Sequence, residues 1–395
     1  MKNFLKNIWG MLKMSNIKRG FTFDEYEKSI KNRYNASLIF KITNYCPHNC
    51  SYCYHKYKNE EDLDKEMSLD VFKEALYKLG DSFEVIKLHL HGGEPLTVPY
   101  EKLKSMLEII EEYRQKRNRG KFIITMATNL LLLDEEKLEI LEEHDVKIST
   151  SYDGKYHNEK RAVNLERVKE KIDMTQGVGM IGVMTKDWVE DLDESIDYVE
   201  NSKKGKPLVN PVMAFPADDE DVLDPGDYSD FVIRRFEKQM ETGLFSWGTL
   251  RYLQAVLGHS GDCFVSGCLN SIFTVTPSGN IKGCDSRNED YWYYCNISDI
   301  ECVEDIYETE KYKNMQRMYY NRLKKCEKEC DVFEYCVGGC PNNYRLRPDG
   351  EFSKDYMCYD YKQMIYYFRD FYESFGSKEE NLPERIKDVL MLKND

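Results

Sequence analysis

No apolar run in this chain approaches the ~20 residues needed to span a bilayer, so a membrane-spanning helix is not expected. A basic excess is missing too: 70 acidic residues against 56 lysines and arginines leave a formal net charge of −14. Phosphate contacts need a clustered basic surface, so nucleic acid is a poor partner. A basic or neutral peptide, or a small molecule, remains open as a substrate. A secretory signal is also lacking. The opening MKNFLKNIWGMLKM carries lysines among its apolar residues and no small-residue cleavage site, and it is read as a short amphipathic helix. Internal repeats and low-complexity linkers are absent. The 13 cysteines would suit a secreted disulfide scaffold, but such scaffolds are short and carry a signal. The consistent expectation is a reducing cytoplasm with thiolates committed to metal.

What is present is a soluble globular composition, 41% hydrophobic and 32% charged, over 395 residues. That length suggests one large domain and a smaller one. From about residue 36 to 215, strand-like segments alternate with helical patterns. The predicted strands are Ala36–Thr43, Glu84–Leu90, Lys121–Thr128, Val146–Ser151, Val178–Thr185 and Leu208–Phe215. Ser68 and Asp134 precede helical runs as caps, and Gly80 is expected to close the first of them. Six successive βα units imply an α/β fold with a parallel sheet. Six strands are too few for a closed eight-stranded barrel, so an open one is expected, with its site at the carboxyl ends of the strands. Further helices are predicted at Asp227–Glu241, Thr249–Gly258 and Tyr359–Phe375. Ten of the 13 cysteines fall between Cys263 and Cys358, among glycines and with few long periodic runs. That stretch is expected to be organised by metal, with little apolar core.

The stretch TNYCPHNCSYCY carries the strongest chemical signal. Cys46, Cys50 and Cys53 form a CxxxCxxC run on one short loop. A [4Fe–4S] cluster takes four cysteine ligands. Three neighbouring thiolates leave one iron open for a substrate or cofactor. The alternative is a Cys₃His zinc site using His48 or His55, although no second short cysteine pair follows within the next two hundred residues.

This run follows ASLIFKIT and is followed about forty residues later by His91-Gly92-Gly93-Glu94-Pro95. Together they resemble the radical S-adenosylmethionine (SAM) superfamily. The resemblance implies that the open iron binds SAM and that the reduced cluster cleaves it to a 5′-deoxyadenosyl radical. It further implies that Tyr52 packs on adenine and that the Gly92-Gly93-Glu94 segment hydrogen-bonds the SAM amino group. Ser149-Thr150-Ser151-Tyr152-Asp153-Gly154, with His157, Asn158 and Arg161, resembles the SxDG, HD, R pattern of peptide-modifying members. Ser151 would there bind the ribose or carboxylate of SAM, and Arg161 its carboxylate. Asn129 matches the asparagine of the family's TNG segment, with Leu130 in place of the glycine. Met184 is read as core. Taken without this context, GGEP and Asp-Gly are simple turns and Arg161 a surface residue.

The later cysteines resemble the SPASM extension, which carries two auxiliary [4Fe–4S] clusters. The resemblance assigns Cys263, Cys268, Cys284 and Cys340 to the first and Cys326, Cys330, Cys336 and Cys358 to the second. It leaves Cys295 and Cys302 as small core residues. Asp285 follows Cys284 as does the proton-removing aspartate of anaerobic sulfatase-maturating enzymes; the alternative is an exposed turn aspartate.

The implied architecture is a partial (β/α)6 TIM-like barrel followed by a small cysteine-rich iron–sulfur SPASM domain. Its expected divisions are an extension (1–35), the barrel (36–258), the SPASM domain (259–360) and a C-terminal helix and tail (361–395). No separate leader-recognition domain is expected before the barrel. The implied enzyme holds three [4Fe–4S] clusters and SAM, and draws electrons from a donor such as ferredoxin or flavodoxin. It would abstract hydrogen from a residue of a ribosomally made precursor peptide, leading to crosslinking or oxidation. Formylglycine formation in a sulfatase is the second reading and small-molecule oxidation in haem or cofactor biosynthesis the third. A non-catalytic electron carrier is the alternative from another class, but it would need no SAM pocket.

Overall fold

Period-two and period-3.6 patterning in the first half resolves into strands and helices close to those predicted. A computed structural model describes residues 19–31, 35–57, 66–117, 119–202, 207–212, 220–258, 271–390 and 392. The expected N-terminal amphipathic helix, Cys263 and Cys268 lie outside the described residues. After α1 (Phe23–Lys31) come β1 (Asn35–Thr43), α2 (Leu69–Gly80), β2 (Val85–Gly92), α3 (Tyr100–Lys116), β3 (Lys121–Thr128) and α4 (Glu135–Glu143). Then follow β4 (Lys147–Ser151), α5 (His157–Arg161), α6 (Leu165–Met174), β5 (Gly179–Met184), α7 (Asp187–Glu190), α8 (Leu192–Glu200) and β6 (Leu208–Pro211). The predicted end of β6 at Phe215 falls outside the described residues.

Local chemistry accounts for the helix starts. The Ser68 hydroxyl accepts the Val71 N–H at 3.2 Å and the Asp134 carboxylate accepts the Lys137 N–H at 2.8 Å. Each cap is worth about 1 kcal/mol. Gly80 closes α2 as expected, though not in a left-handed conformation. It is the last helical residue, and a Cβ there would run into the Tyr113 ring on α3. Its role is close helix packing rather than a left-handed cap.

β1 to β6 are parallel and neighbour one another in chain order. Along β2, Leu88 and Leu90 are buried while Lys87, His89 and His91 point to the other face. Truncating such a buried leucine to alanine costs about 2–5 kcal/mol. The second face is polar: His89 Nδ1 meets Thr125 Oγ1 of the adjacent strand at 2.6 Å.

The sheet does not stop at the sixth strand. β7 (Ile272–Val275) lies parallel to β1 on its free edge, and β8 (Asn280–Lys282) and β9 (Tyr293–Asn296) continue it antiparallel. Among the described residues the result is one open nine-stranded sheet in the order β6-β5-β4-β3-β2-β1-β7-β8-β9. The intervening helices are α9 (Asp227–Thr242) and α10 (Trp247–Val256), near the predicted ranges.

The expectation of little apolar core after residue 261 is overturned. Helix α11 (Val303–Glu308) is followed by the 20-residue α12 (Glu310–Glu329), capped by Thr309. Trp292, Tyr294, Tyr312, Met315, Tyr319 and Leu323 are buried in a core shared with β1 and β2. The run 312, 315, 319, 323 has helical spacing. Its tyrosines, among many charges, hide the pattern. Beyond lie α13 (Phe333–Cys336), α14 (Cys358–Ser374) and α15 (Glu384–Leu390). The ring of Phe236 on α9 meets Phe368 and Phe371 on α14 at 4.9 and 5.0 Å, in a second core that also buries Met184. Among the described residues no helix is long and apolar enough to cross a membrane.

Candidate active site and cysteine centres

Parallel strands deliver their following loops to one end of a sheet. The cysteine loop after β1, the glycines ending β2, Asn129 after β3 and Ser151 ending β4 therefore meet around one cavity of about 340 Å³. Cys46, Cys50, Cys53, Tyr52 and Arg161 line it, and Cys284 and Cys340 reach it from the C-terminal region.

The two glycines set how closely the first two strands approach. Gly92 has a φ of +147°, and a Cβ on Gly92 or Gly93 would collide with the backbone of Thr43 or Tyr45. Without those atoms, the Gly93 and Glu94 N–H groups bond to the Thr43 and Tyr45 carbonyls, each at 2.8 Å. That stitches β2 to the cysteine loop. The Glu94 side chain, 2% exposed, is spent within the chain. Its carboxylate accepts the N–H groups of Asn129 at 2.8 Å and Leu96 at 3.1 Å and the Thr128 hydroxyl. Burial nevertheless raises its pKa. The Asn129 side chain likewise turns inward to accept the Leu131 N–H at 3.0 Å. Leu130 adopts the left-handed backbone, φ 65°, with its side chain fully buried. Leu130 thus takes a backbone conformation that glycine adopts without strain.

Arg161 is not a surface residue. Its guanidinium makes a two-bond pair with Asp153, with Nη2 at 3.1 Å from Oδ1, and lies 5.3 Å from the Tyr52 ring centroid. The carboxylate in its grip is the chain's own. Asp153, 0% exposed, also accepts the Tyr52 hydroxyl and the Val183 N–H at 2.9 Å. One buried anion thereby ties the cysteine loop, β5 and α5 together. The loop is held again where the Ser51 N–H meets the Lys160 carbonyl at 2.7 Å. The Asn158 amide oxygen accepts the Leu165 N–H at 2.7 Å, supporting the next helix. In the sequence, only its place in the SxDG pattern marks Asp153.

Asp285 is not an exposed turn residue either. Its carboxylate lies 3.0 Å from Lys41 Nζ and 3.3 Å from His91 Nδ1, and accepts the Tyr54 hydroxyl. Burial opposes the anion, but Lys41, then His91, His55 and Lys282, outweigh it and hold the carboxyl well below the usual range. Lys282 Nζ gathers the carbonyls of Asp285 and Arg287 and the Asn288 side chain at 2.7–2.9 Å, fixing the turn. Asp285 does not itself line the cavity; it meets it through Tyr54 and His91, which do. Local patterning gave no sign of Lys41 or His91 as its partners.

The thiols divide between two places. Cys326, Cys330, Cys336 and Cys358 surround a second cavity between α12, α13 and α14. Cys295 is half-buried against the core as expected, whereas Cys302 stands at the N-cap of α11 rather than in the core. Burial pushes the Cys46 thiol up to about 11, so binding a cluster there would release a proton. A tetrahedral zinc with Zn–S of about 2.3 Å needs its sulfurs within about 4 Å of one another. Among the described residues, only the ligand atoms of His55, His91 and Asp285 come within 4.8 Å as a group. No three cysteine sulfurs among the described residues gather that closely, and the histidine group already has an ammonium against its carboxylate. Three thiols on one short loop, Cys46, Cys50 and Cys53, with no tight tetrahedral grouping among the described residues, fit a [4Fe–4S] cluster better than zinc.

Residues 40–196 match the model of the Radical SAM superfamily. A serine-type anaerobic sulfatase-maturating enzyme of Bacteroides thetaiotaomicron is 22% identical over 367 residues, covering 82% of this chain and 87% of that protein. An uncharacterised Methanocaldococcus jannaschii protein is 32% identical over 117 residues, 30% of this chain and 38% of that protein's length. Native anSMEcpe with bound AdoMet matches with a TM-score of 0.74 at 20% identity, covering 90% of this chain and 100% of that one. Streptococcus suis SuiB bound to S-adenosylmethionine matches with a TM-score of 0.58 at 16% identity, covering 90% and 88%. At these identities the structural matches speak to the fold. The chain therefore carries a radical SAM domain and is similar, over most of its length, to an anaerobic sulfatase-maturating enzyme.

Proposed function

We propose that this radical SAM enzyme is a maturase that oxidises or crosslinks a residue of a peptide or protein substrate. The observation carrying this reading is one cavity in which the three thiols of the first cysteine loop face Cys284 and Cys340. With SAM bound, a reduced cluster on Cys46, Cys50 and Cys53 would supply a 5′-deoxyadenosyl radical that takes a hydrogen atom from the substrate. Gly92, Gly93, Asn129, Ser151, Tyr52 and Arg161 would shape the SAM pocket. Glu94, which also lines the cavity, would bind SAM within the Gly92-Gly93-Glu94 segment, and the Asp153 carboxylate keeps the walls fixed. The substrate's proton would leave through His91 and Tyr54 to Asp285. Cys284 and Cys340, with Cys263 and Cys268, would hold an auxiliary cluster, which when bound would supply an electron acceptor beside the substrate. A second auxiliary cluster would sit on Cys326, Cys330, Cys336 and Cys358. A flavodoxin or ferredoxin in a reducing cytoplasm would provide the starting electron.

A ribosomally made precursor peptide is the first substrate reading; SuiB is known bound to the precursor peptide SuiA. Sulfatase maturation is the second. The extent of similarity to the Bacteroides enzyme and the buried, partnered state of Asp285 favour it. Incubation with SAM and a reductant, offering a peptide with a sulfatase-type Cys or Ser and a genome-neighbouring short peptide, separates them by product mass. 5′-Deoxyadenosine without modification of either peptide would defeat both readings.

A further inference from the structure

The second thiol cavity holds a buried cation that local packing does not explain. Arg322, on α12 one turn before Cys326, is 8% exposed, and its Nη2 donates to Cys326 Sγ at 3.1 Å. Among the described residues, no carboxylate oxygen lies within 4.0 Å of its guanidinium. Asp355 faces the same cavity, but its oxygens accept the N–H groups of Cys340 and Met357, each at 2.8 Å. An unpaired buried charge is strongly unfavourable. Lys354 lines the cavity beside Cys358 and adds a second positive charge. Three cations, Arg322, Lys354 and Lys362, converge where the side chains offer four thiols and the carboxyl groups of Glu329 and Asp355; Lys362 is already paired with Asp331 at 2.9 Å. Such a setting suits an anionic four-thiolate group.

We infer that Arg322 is a tuning residue for the second auxiliary cluster. Its hydrogen bond to the Cys326 sulfur and its buried positive charge raise that cluster's reduction potential and so favour its acting as an electron acceptor. Hydrogen bonds to cluster sulfurs and local charge are established levers on potential. The inference rests on the auxiliary-cluster reading above. Reduction there adds one electron and breaks no bond, and that electron comes from the oxidised substrate.

The test uses the full chain, reconstituted anaerobically, with iron analysis and an EPR-monitored redox titration. Cys326→Ala with Cys330→Ala identifies the wave belonging to this cavity as the one lost with about four irons. If no iron is lost, the cluster reading itself fails, independently of Arg322. With the wave identified, Arg322→Met should lower its midpoint so that the oxidised-to-reduced ratio at the wild-type midpoint rises about tenfold, about 59 mV for one electron. The other waves should stay put, and Arg322→Lys should recover part of the shift. An unmoved wave with iron retained would overturn the inference. Should Arg322→Met shed the iron, Arg322→Lys decides. Retention shows that the cation holds the cluster; loss shows that only the arginine's shape is needed, and the inference falls.

Discussion

The Arg161 guanidinium and the Asp153 carboxylate, eight residues apart, form a buried two-bond ion pair beneath the Tyr52 ring, with Nη2 to Oδ1 at 3.1 Å. Because Tyr52 and Val183 share the carboxylate, this pair sets the position of the cysteine loop relative to β5.

Arg161→Lys keeps the charge but loses the planar fork. The dissociation constant for SAM, measured by calorimetry on the reconstituted protein, should rise by about tenfold or more, the scale of one charge-assisted hydrogen bond. Asp153→Ala leaves a buried cation unpaired and should cost about 3–5 kcal/mol in denaturant unfolding. Unchanged binding and stability in both variants would show that the pair does not shape the pocket.

Iron content tests the cysteine centres. The reconstituted chain should hold about twelve irons, four for each of three clusters. Replacing Cys46, Cys50 and Cys53 together by alanine should remove about a third of the iron, with all SAM cleavage. About four irons in the intact chain, or one tightly held zinc, would contradict the assignment.

For Asp285→Asn, 5′-deoxyadenosine should still form, because hydrogen abstraction precedes proton removal. Modified peptide should fall by roughly 10²–10⁴. Both products need to be counted in one reaction, with iron assayed, since Cys284 is adjacent. A parallel change in the two products at constant iron would take Asp285 off the proton path.

His157 supplies an acid-sensitive element. Its Nδ1 accepts the Asp153 N–H at 3.3 Å, and burial first, then Arg161, lowers its pKa from 6.5 to about 4. Between those values the unfolded chain binds a proton that the folded chain refuses. Stability from this group is therefore full above pH 6.5 and is lost as pH falls toward about 4, by on the order of 3 kcal/mol in total. Urea unfolding at pH 7 and pH 5 should show a smaller acid loss in His157→Gln than in the unsubstituted protein. Cluster lability is common to both and cancels in the comparison. Equal losses would mean that His157 is not the group responsible.

Spacing and periodicity in the sequence determined the six parallel strands, the caps at Ser68 and Asp134, and the cysteine loop and GGEP at one end of the sheet. Each is a local property: a period, a cap or a turn needs a few consecutive residues. The tertiary structure alone decided what depends on distant partners. Lys41 and Asp285 are 244 residues apart, and no local pattern marks one as the other's counter-charge. The pairing of β7 with β1 was equally hidden, because a four-residue strand carries too little periodicity to announce which free edge it will extend. The core under α12 was obscured because a tyrosine reads as polar or apolar according to what covers its ring. The assignment of Arg161 to Asp153 was settled by burial: once a guanidinium leaves water, the anion within reach takes it, and here the fold brings its own.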